Sequence, residues 1–236
     1  MSRGAYSLDL GVVAYRDAWD LQRSLAGAVS QGAIPETVVF LEHPPVVTLG
    51  RRTDAAELHV PDDAEVDVVE TDRGGKSTFR GPGQLVCYPI LDLRLHGKDV
   101  KKYVRDLEEA LIRTLAPFGL EGTRFEGLTG VWLHPPPRKI ASIGVHISRW
   151  ITTHGYALNV DLDPAPFTQW ITACGLEDAA FTTIARELGR PVTPDDVRAH
   201  ARDAIADVFE LDLEPLPAED GAGLWPQPIH AQLAAK

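Results

Sequence analysis

A chain of 236 residues, 44% hydrophobic and 24% charged, has the composition of an ordinary folded protein of one large domain or two small ones. Its formal net charge of −11 argues against nonspecific nucleic-acid binding, and no apolar run approaches the roughly 20 residues that a membrane span needs. The opening "MSRGAYSLDLGVVAY" lacks a basic head followed by an apolar core, so no secretory signal is expected. Cys87 and Cys174 make no disulfide framework, and a cytoplasmic location is expected. The charge is uneven. Residues 71–150 carry 13 Lys and Arg against 8 Asp and Glu, a basic island in an acidic chain. Exposed helix charge (Lys98, Lys101, Lys102 and Arg105) could produce it, or it could dock an acidic partner.

In chain order, "YSLDLGVVAY" reads as a strand, and "RDAWDLQRSLAGAVSQG" as a helix on the spacing of Trp19, Leu21, Leu25, Ala28 and Val29, stopped by Gly32. "TVVFLEHPPVVTLG" reads as two strands broken at Pro44-Pro45. "EVDVVETD" and "QLVCYPILDL" read as strands flanking a glycine loop, "RGGKSTFRGPG". "KDVKKYVRDLEEALIRTLAPFG" predicts a helix with Val100, Tyr103, Val104, Leu107, Leu111 and Leu115 on one face and Gly119 at its end. Four strands follow, in "GTRFEG", "TGVWLH", "KIASIGVHIS" and "WITTHGYALNV". "APFTQWITACG" predicts a short helix with a turn ending at Gly175. "TPDDVRAHARDAIADVFEL" predicts an amphipathic helix with Thr193 as N-cap and Pro194 in its first turn. The rest is rich in Pro, Gly and Ala and aperiodic. We expect a single α/β domain over residues 1–214 and a loosely packed or disordered tail over 215–236.

The glycine loop carries Arg73, Lys76 and Arg80 beside glycines that let a backbone approach a ligand, which suits an anion or a polarised carbonyl; a plain hairpin connection with solvated charges suits the residues as well. It is neither a Walker A loop nor a GxGxxG turn. Cys174 is a nucleophile only as thiolate, and no neighbour in sequence supplies the cation that would lower its pKa; a buried structural cysteine suits the residue as well. Lys139 opens an apolar strand, where it either snorkels to water or moves a proton. His43, His134, His146 and His154 lack a metal spacing, so no metal is expected, and no GxSxG elbow is present. Cys87 reads as packing.

The segments "LEHPPVVTLGRRT", "TDRGGKSTFRGPGQLVCYPILDL", "GVWLHPPPRKIASIGVHIS" and "THGYALNVDLDPAPFTQWITACG", in that order, resemble the lipoyl(octanoyl) transferases. These enzymes move octanoate from acyl carrier protein to lipoyl domains. The resemblance implies a mixed β-sheet flanked by helices, like the catalytic domain of biotin and lipoate protein ligases. It implies a catalytic pair, Cys174 and Lys139. It implies an acyl pocket formed by Arg73, Gly74, Gly75, Lys76, Ser77, Thr78, Phe79 and Arg80, by Ser142, Ile143 and Gly144, and by Gly155, Tyr156 and Ala157. Leu85, Ile143 and Tyr156 are the expected lining of the acyl chain. The implied partners are octanoyl-acyl carrier protein and the apo-lipoyl domains of 2-oxoacid dehydrogenases and the glycine cleavage H protein, with no ATP, metal, nucleic acid or membrane.

Three positions depart from the family pattern. The loop usually reads Thr, an aromatic residue, then His before GPGQ, and here Arg80 stands in place of the His. Arg80 keeps its charge and cannot exchange a proton as an imidazole does. Cys87 stands where Gly is common, and "HPPPR" inserts prolines before Lys139. Two other readings share the fold or the partners: an ATP-dependent lipoate or biotin protein ligase, and a non-catalytic binder of lipoyl domains or acyl carriers. A thiol hydrolase lacks a supporting Cys/His/Asn arrangement.

Overall fold

A computed structural model describes residues 2–172, 180–221 and 223–224. Strand β1 (Arg3–Val12) leads into helix α1 (Tyr15–Gln31), which ends where Gly32 turns left-handed at φ 69°. Strands β2 (Thr37–Glu42) and β3 (Val46–Leu49) break at Pro44-Pro45 as predicted. Strands β4 (Asp67–Glu70), β5 (Thr78–Arg80) and β6 (Gln84–Ile90) follow, then helix α2 (Val100–Leu115). Strands β7 (Thr123–Phe125), β8 (Leu128–Leu133), β9 (Arg138–Ser148) and β10 (Ile151–Asn159) match the four predicted in this stretch. The chain closes with α3 (Pro166–Gln169), β11 (Ala180–Phe181), α4 (Ile184–Leu188), α5 (Pro194–Phe209), β12 (Leu211–Pro215) and α6 (Ala218–Gly221).

The large sheet has the order β12-β1-β2-β6-β10-β9-β8-β7, with β11 pairing β9. It is parallel at β12-β1-β2 and antiparallel from β2 to β7, so it is mixed, as expected. Helix α1 covers one face with Leu21, Leu25 and Val29 on Leu41, Val86 and Ile90. Helices α2 and α5 cover the other, with Leu107, Leu111 and Ile205 on Phe40, Leu85 and Leu158. Each such side chain contributes about 1.5–3 kcal/mol by leaving water, which is why the central strands read as continuous apolar runs. Helix α5 starts with a reciprocal capping box, Thr193 and Asp196 each bonding the other's backbone, and Pro194 sits in its first turn. A second sheet, β4-β3-β5, stands beside the first. No described helix is long and apolar enough to cross a membrane.

Three expectations change. The glycine loop is interrupted by a strand, β5, so Arg80 is a buried ladder residue opposite Val46 rather than a mid-loop cation. Three residues with only one apolar side chain carry too weak a period to be read from sequence. The predicted short helix is confined to Pro166–Gln169, and its expected turn at Gly175 lies outside the described residues. The start of the expected tail is packed. Pro215 ends β12 against β1, Leu216 and Leu224 pack under α1, and the Tyr6 hydroxyl donates to Asp220 at 2.6 Å. Residues 225–236 lie outside the described residues.

Gly155 lies where β10 and β6 come together, and a Cβ there would fall on the Cys87 carbonyl oxygen and 2.7 Å from Pro89 Cδ. Gly155→Ala should lower the unfolding free energy in urea by roughly 1–3 kcal/mol through overpacking. Gly4→Ala, with no atom within 4 Å of the added Cβ, should leave it unchanged. Equal midpoints for Gly155→Ala and the parent chain would contradict this packing.

Candidate functional site

Between the two sheets lies a cavity of about 240 Å³. Its walls come from the glycine loop and β5 (Arg73, Gly75, Lys76, Ser77, Thr78, Arg80), from β9 (Lys139, Ser142, Ile143, Gly144), from the β7–β8 turn and β8 (Gly127, Leu128, Thr129, Trp132), and from Arg52 and Phe181. An aromatic cluster supports it from below. Phe79 meets Phe167 and Trp170 edge-on, and Phe167 stacks on Phe181 at 4.3 Å.

Arg73 fixes the loop. Only 3% exposed, it donates from Nη2 to the Thr48 carbonyl at 2.6 Å, from Nε to Thr48 Oγ1 at 3.2 Å and from Nη1 to the Gly74 carbonyl at 3.1 Å. Burial and the nearby Arg80 charge push its pKa down to about 10. The Gly74 N–H donates to the Val145 carbonyl at 2.8 Å and ties the loop to β9. Lys76 is paired with Glu57.

Arg80 is 2% exposed, and its guanidinium lies 5.9 Å from the centre of the Tyr15 ring. Among the described residues its Nε and Nη1, both buried, have no hydrogen-bond partner. Behind it runs a buried polar chain. The Tyr15 hydroxyl lies 3.3 Å from His154 Nδ1, and His154 Nε2 lies 2.7 Å from Asp72 Oδ1. His43 lies 2.7 Å from the Val13 carbonyl through Nδ1 and 2.7 Å from the Tyr88 hydroxyl through Nε2. This fits a neutral ring that donates from Nδ1 and accepts at Nε2. Burial, with Arg80 adding to it, pushes the His43 pKa down to about 3. Burial also lowers His154, while the hydrogen bond from His154 lowers Asp72.

Lys139 is at the other end, 4% exposed. Its Nζ donates to the Thr129 carbonyl at 3.1 Å and lies 5.2 Å from the Trp132 ring centre. Gly130 makes room for it. Gly130 has φ 123°, and a Cβ there would sit 2.9 Å from Lys139 Cε. The Trp132 indole N–H and the Ser77 hydroxyl are buried and have no partner among the described residues. Phe181 of β11 pairs with Lys139.

Of the expected pocket residues, Arg73, Gly75, Lys76, Ser77, Thr78, Arg80, Ser142, Ile143 and Gly144 come together around the cavity with Lys139. Gly74 and Phe79 do not line it; one clamps the loop to β9 and the other turns into the aromatic cluster. Gly155, Tyr156 and Ala157 do not line it either. Strand β10 is covered on both faces, so Tyr156 is buried towards α2 and α5, Ala157 towards α1, and Gly155 faces β6. Leu85, expected to line the acyl chain, is core for the same reason. Cys87 is core as expected, with its thiol pKa raised by burial. Cys174 lies outside the described residues. Sequence reasoning missed Arg52, Gly127, Leu128, Thr129, Trp132 and Phe181. The available signal was the pair of glycines in "GLTG", which allows close approach only opposite a long side chain on the next strand.

The sequence profile of the lipoyl protein ligase A/B catalytic domain matches residues 14–206. The octanoyltransferase of Mycobacterium tuberculosis is 54% identical over 198 residues, covering 83% of each chain. That of Mycobacterium ulcerans is 47% identical over 224 residues, covering 91% of this chain and 90% of the relative. The bipartite lipoate protein ligase of Thermoplasma acidophilum superposes with a TM-score of 0.73 at 15% identity, over 99% of this chain and 93% of that one. At that identity the superposition speaks for the fold.

The unfolded chain protonates His43 near its ordinary value of about 6.5 and the folded chain only near 3. The stability of the neutral ring is therefore complete above about pH 6.5 and is lost as pH falls towards 3, by about 1.4 kcal/mol per unit. Urea midpoints measured from pH 7 to pH 5 should fall more steeply for the parent chain than for His43→Gln. Parallel pH profiles would refute a buried neutral His43.

Proposed function

The chain belongs to the lipoyl protein ligase A/B catalytic-domain family and is an acyltransferase akin to the octanoyltransferases, and on that premise we propose that it moves an octanoyl group from octanoyl-acyl carrier protein to the acceptor lysine of apo-lipoyl domains through a thioester on Cys174. The observation that carries the reading is the amine of Lys139, buried at one end of a partly open cavity whose walls include both a glycine loop and aromatic surface. The described chain stops at Thr172, before Cys174, and resumes at Ala180 in a strand that pairs with Arg138 and Lys139.

In the first step the Cys174 thiolate attacks the octanoyl carbonyl carbon. The bond from that carbon to the phosphopantetheine sulfur breaks, and the carrier thiol leaves with a proton. In the second step the neutral ε-amine of the acceptor lysine attacks the acyl-enzyme. The carbon–sulfur bond to Cys174 breaks, an amide forms, and the surplus amine proton restores the enzyme's thiol. The donor is already activated, so thioester exchange is nearly balanced, amide formation is downhill, and ATP is not required. Lys139 favours the thiolate by its charge and relays the proton. The Trp132 indole N–H and the loop amides supply donors for the carbonyl oxygen as negative charge develops on it. The exposed Lys98, Lys101 and Arg105 offer an acidic carrier or lipoyl domain a complementary surface.

A second reading has one observation in its favour. The described residues lining the cavity include Arg52, Arg73, Lys76, Arg80 and Lys139 and no carboxylate, a charge balance that also suits the phosphates of a nucleotide in an ATP-dependent ligase.

Intact mass spectrometry after incubation with octanoyl-acyl carrier protein and no ATP decides between them. One octanoyl adduct should form on the parent chain, be absent from Cys174→Ser, and be discharged by an apo-lipoyl domain. Lys139→Ala should slow loading by roughly 10²–10⁴-fold. Transfer that needs ATP and leaves no adduct would establish the ligase instead. Partner binding with neither adduct nor transfer would establish a binder.

A further inference from the structure

The octanoyl chain is apolar to its tip, yet the end of the cavity away from Lys139 is built of two buried guanidinium groups. Arg73 packs beside Gly144, where an added Cβ would lie 3.2 Å from its Cδ. Arg80 lies over Tyr15, whose hydroxyl meets His154, and His154 pairs with Val145 across the β9–β10 ladder. Arg73 thus meets β9 at Gly144, and Arg80 lies near enough for its charge to act on Arg73. Lys139 is five residues back from Gly144 along the same strand, with the register shift against β8 between them, so their backbones are at most about 16 Å apart. With the reach of both side chains, that span fits an extended acyl chain of medium length.

The two guanidinium groups differ in one respect. Arg73 has its N–H groups on Thr48 and Gly74. Arg80 is equally buried, and among the described residues its Nε and Nη1 have no partner. Asp72, the acid nearest in sequence, is engaged with His154, and among the described residues no carboxylate lines the cavity. A buried cation without a counter-charge is costly, and guanidinium N–H groups left unpartnered are strong donors to a carboxylate oxygen.

We propose that the Arg80 end of the cavity is a carboxylate subsite, so that the enzyme accepts medium-chain acyl thioesters bearing an ω-carboxylate in addition to the octanoyl group. The proposal rests on the reading of this cavity as the acyl pocket. The thioester end reacts at Lys139 and Cys174, and the distal carboxylate accepts hydrogen bonds from Arg80.

The test compares three eight-carbon donors on the same acyl carrier protein: octanoyl, the dicarboxylic monothioester, and its ω-methyl ester. Loading of the full-length chain is followed by intact mass and kcat/KM. The dicarboxylic donor should load, and roughly 10- to 100-fold better than its methyl ester, the worth of a charge-assisted hydrogen-bond pair. Arg80→Met should reduce loading of the dicarboxylic donor by a similar factor relative to octanoyl. Should that variant fail to fold, the methyl-ester comparison on the parent chain decides alone.

Octanoyl loading with no loading of the dicarboxylic donor, or with equal rates for acid and ester, overturns the subsite and leaves the proposed function standing. Failure of all three donors overturns the proposed function itself, and the subsite with it. Free octanoate could place its own carboxylate on Arg80 in the reverse sense. If octanoate inhibits the parent chain but not Arg80→Met while acid and ester donors load equally, the site binds free acids and the ω-carboxylate proposal is overturned.

Discussion

A guanidinium buried away from water must satisfy its N–H groups within the protein, and the bonds of Arg73 to Thr48 and Gly74 fix the geometry around it. The glycine loop has few side chains with which to hold itself in place. Arg73 fastens it to β3, and the Gly74 N–H fastens it to β9. The space between the two sheets is therefore bridged by one loop bonded to both. Gly50 completes the contact. A Cβ at that position would fall on the Gly75 carbonyl and 2.8 Å from Arg73 Nη1, so the strand end can accept the loop only because it is glycine.

Two neighbouring guanidinium groups impose their charge on what lies behind them. Burial and the Arg80 charge together keep His43 neutral, and burial chiefly does so for His154. A neutral imidazole has one donor and one acceptor, so each ring orders its neighbours along a single direction. His43 is held between Val13 and Tyr88, and His154 between Tyr15 and Asp72. The carboxylate of Asp72 is thereby committed to His154 and does not reach into the cavity. The wall behind the arginines is polar and fixed, while the cavity they face is strongly cationic.

Much of this fold was legible because its elements carry their own periods. Helix α1 and helix α2 show their buried stripes in Leu21, Leu25, Leu107 and Leu111, and the Pro44-Pro45 break and the Thr193 cap are local chemistry. What escaped notice depends on register. Strand β5 exists because Val46, Val47 and Thr48 pair with it, not because of its own three residues. Tyr156 and Ala157 are near the cavity in sequence pattern but belong to a strand buried on both faces, and only the pairing of β10 with both β6 and β9 shows it. The residues around Lys139 were hidden for the same reason, since Thr129, Gly130 and Trp132 meet it across a ladder with a register shift.

The cavity is laid along a single strand, and this has a mechanical consequence. Lys139 and the Gly144 position against which Arg73 packs are both on β9, and no loop intervenes between them. Their backbone separation is set by the strand, about 3.3 Å per residue where it is regular and less across the register shift beside Lys139. A pocket closed by side-chain volume admits a slightly longer chain at the cost of small shifts, about 1–3 kcal/mol for an extra methylene. A cavity whose two ends share one strand has less of that freedom in its backbone. The backbone distance between the two positions can change only if β9 slips against β8 or β10, which would turn every buried side chain of the strand to the wrong face.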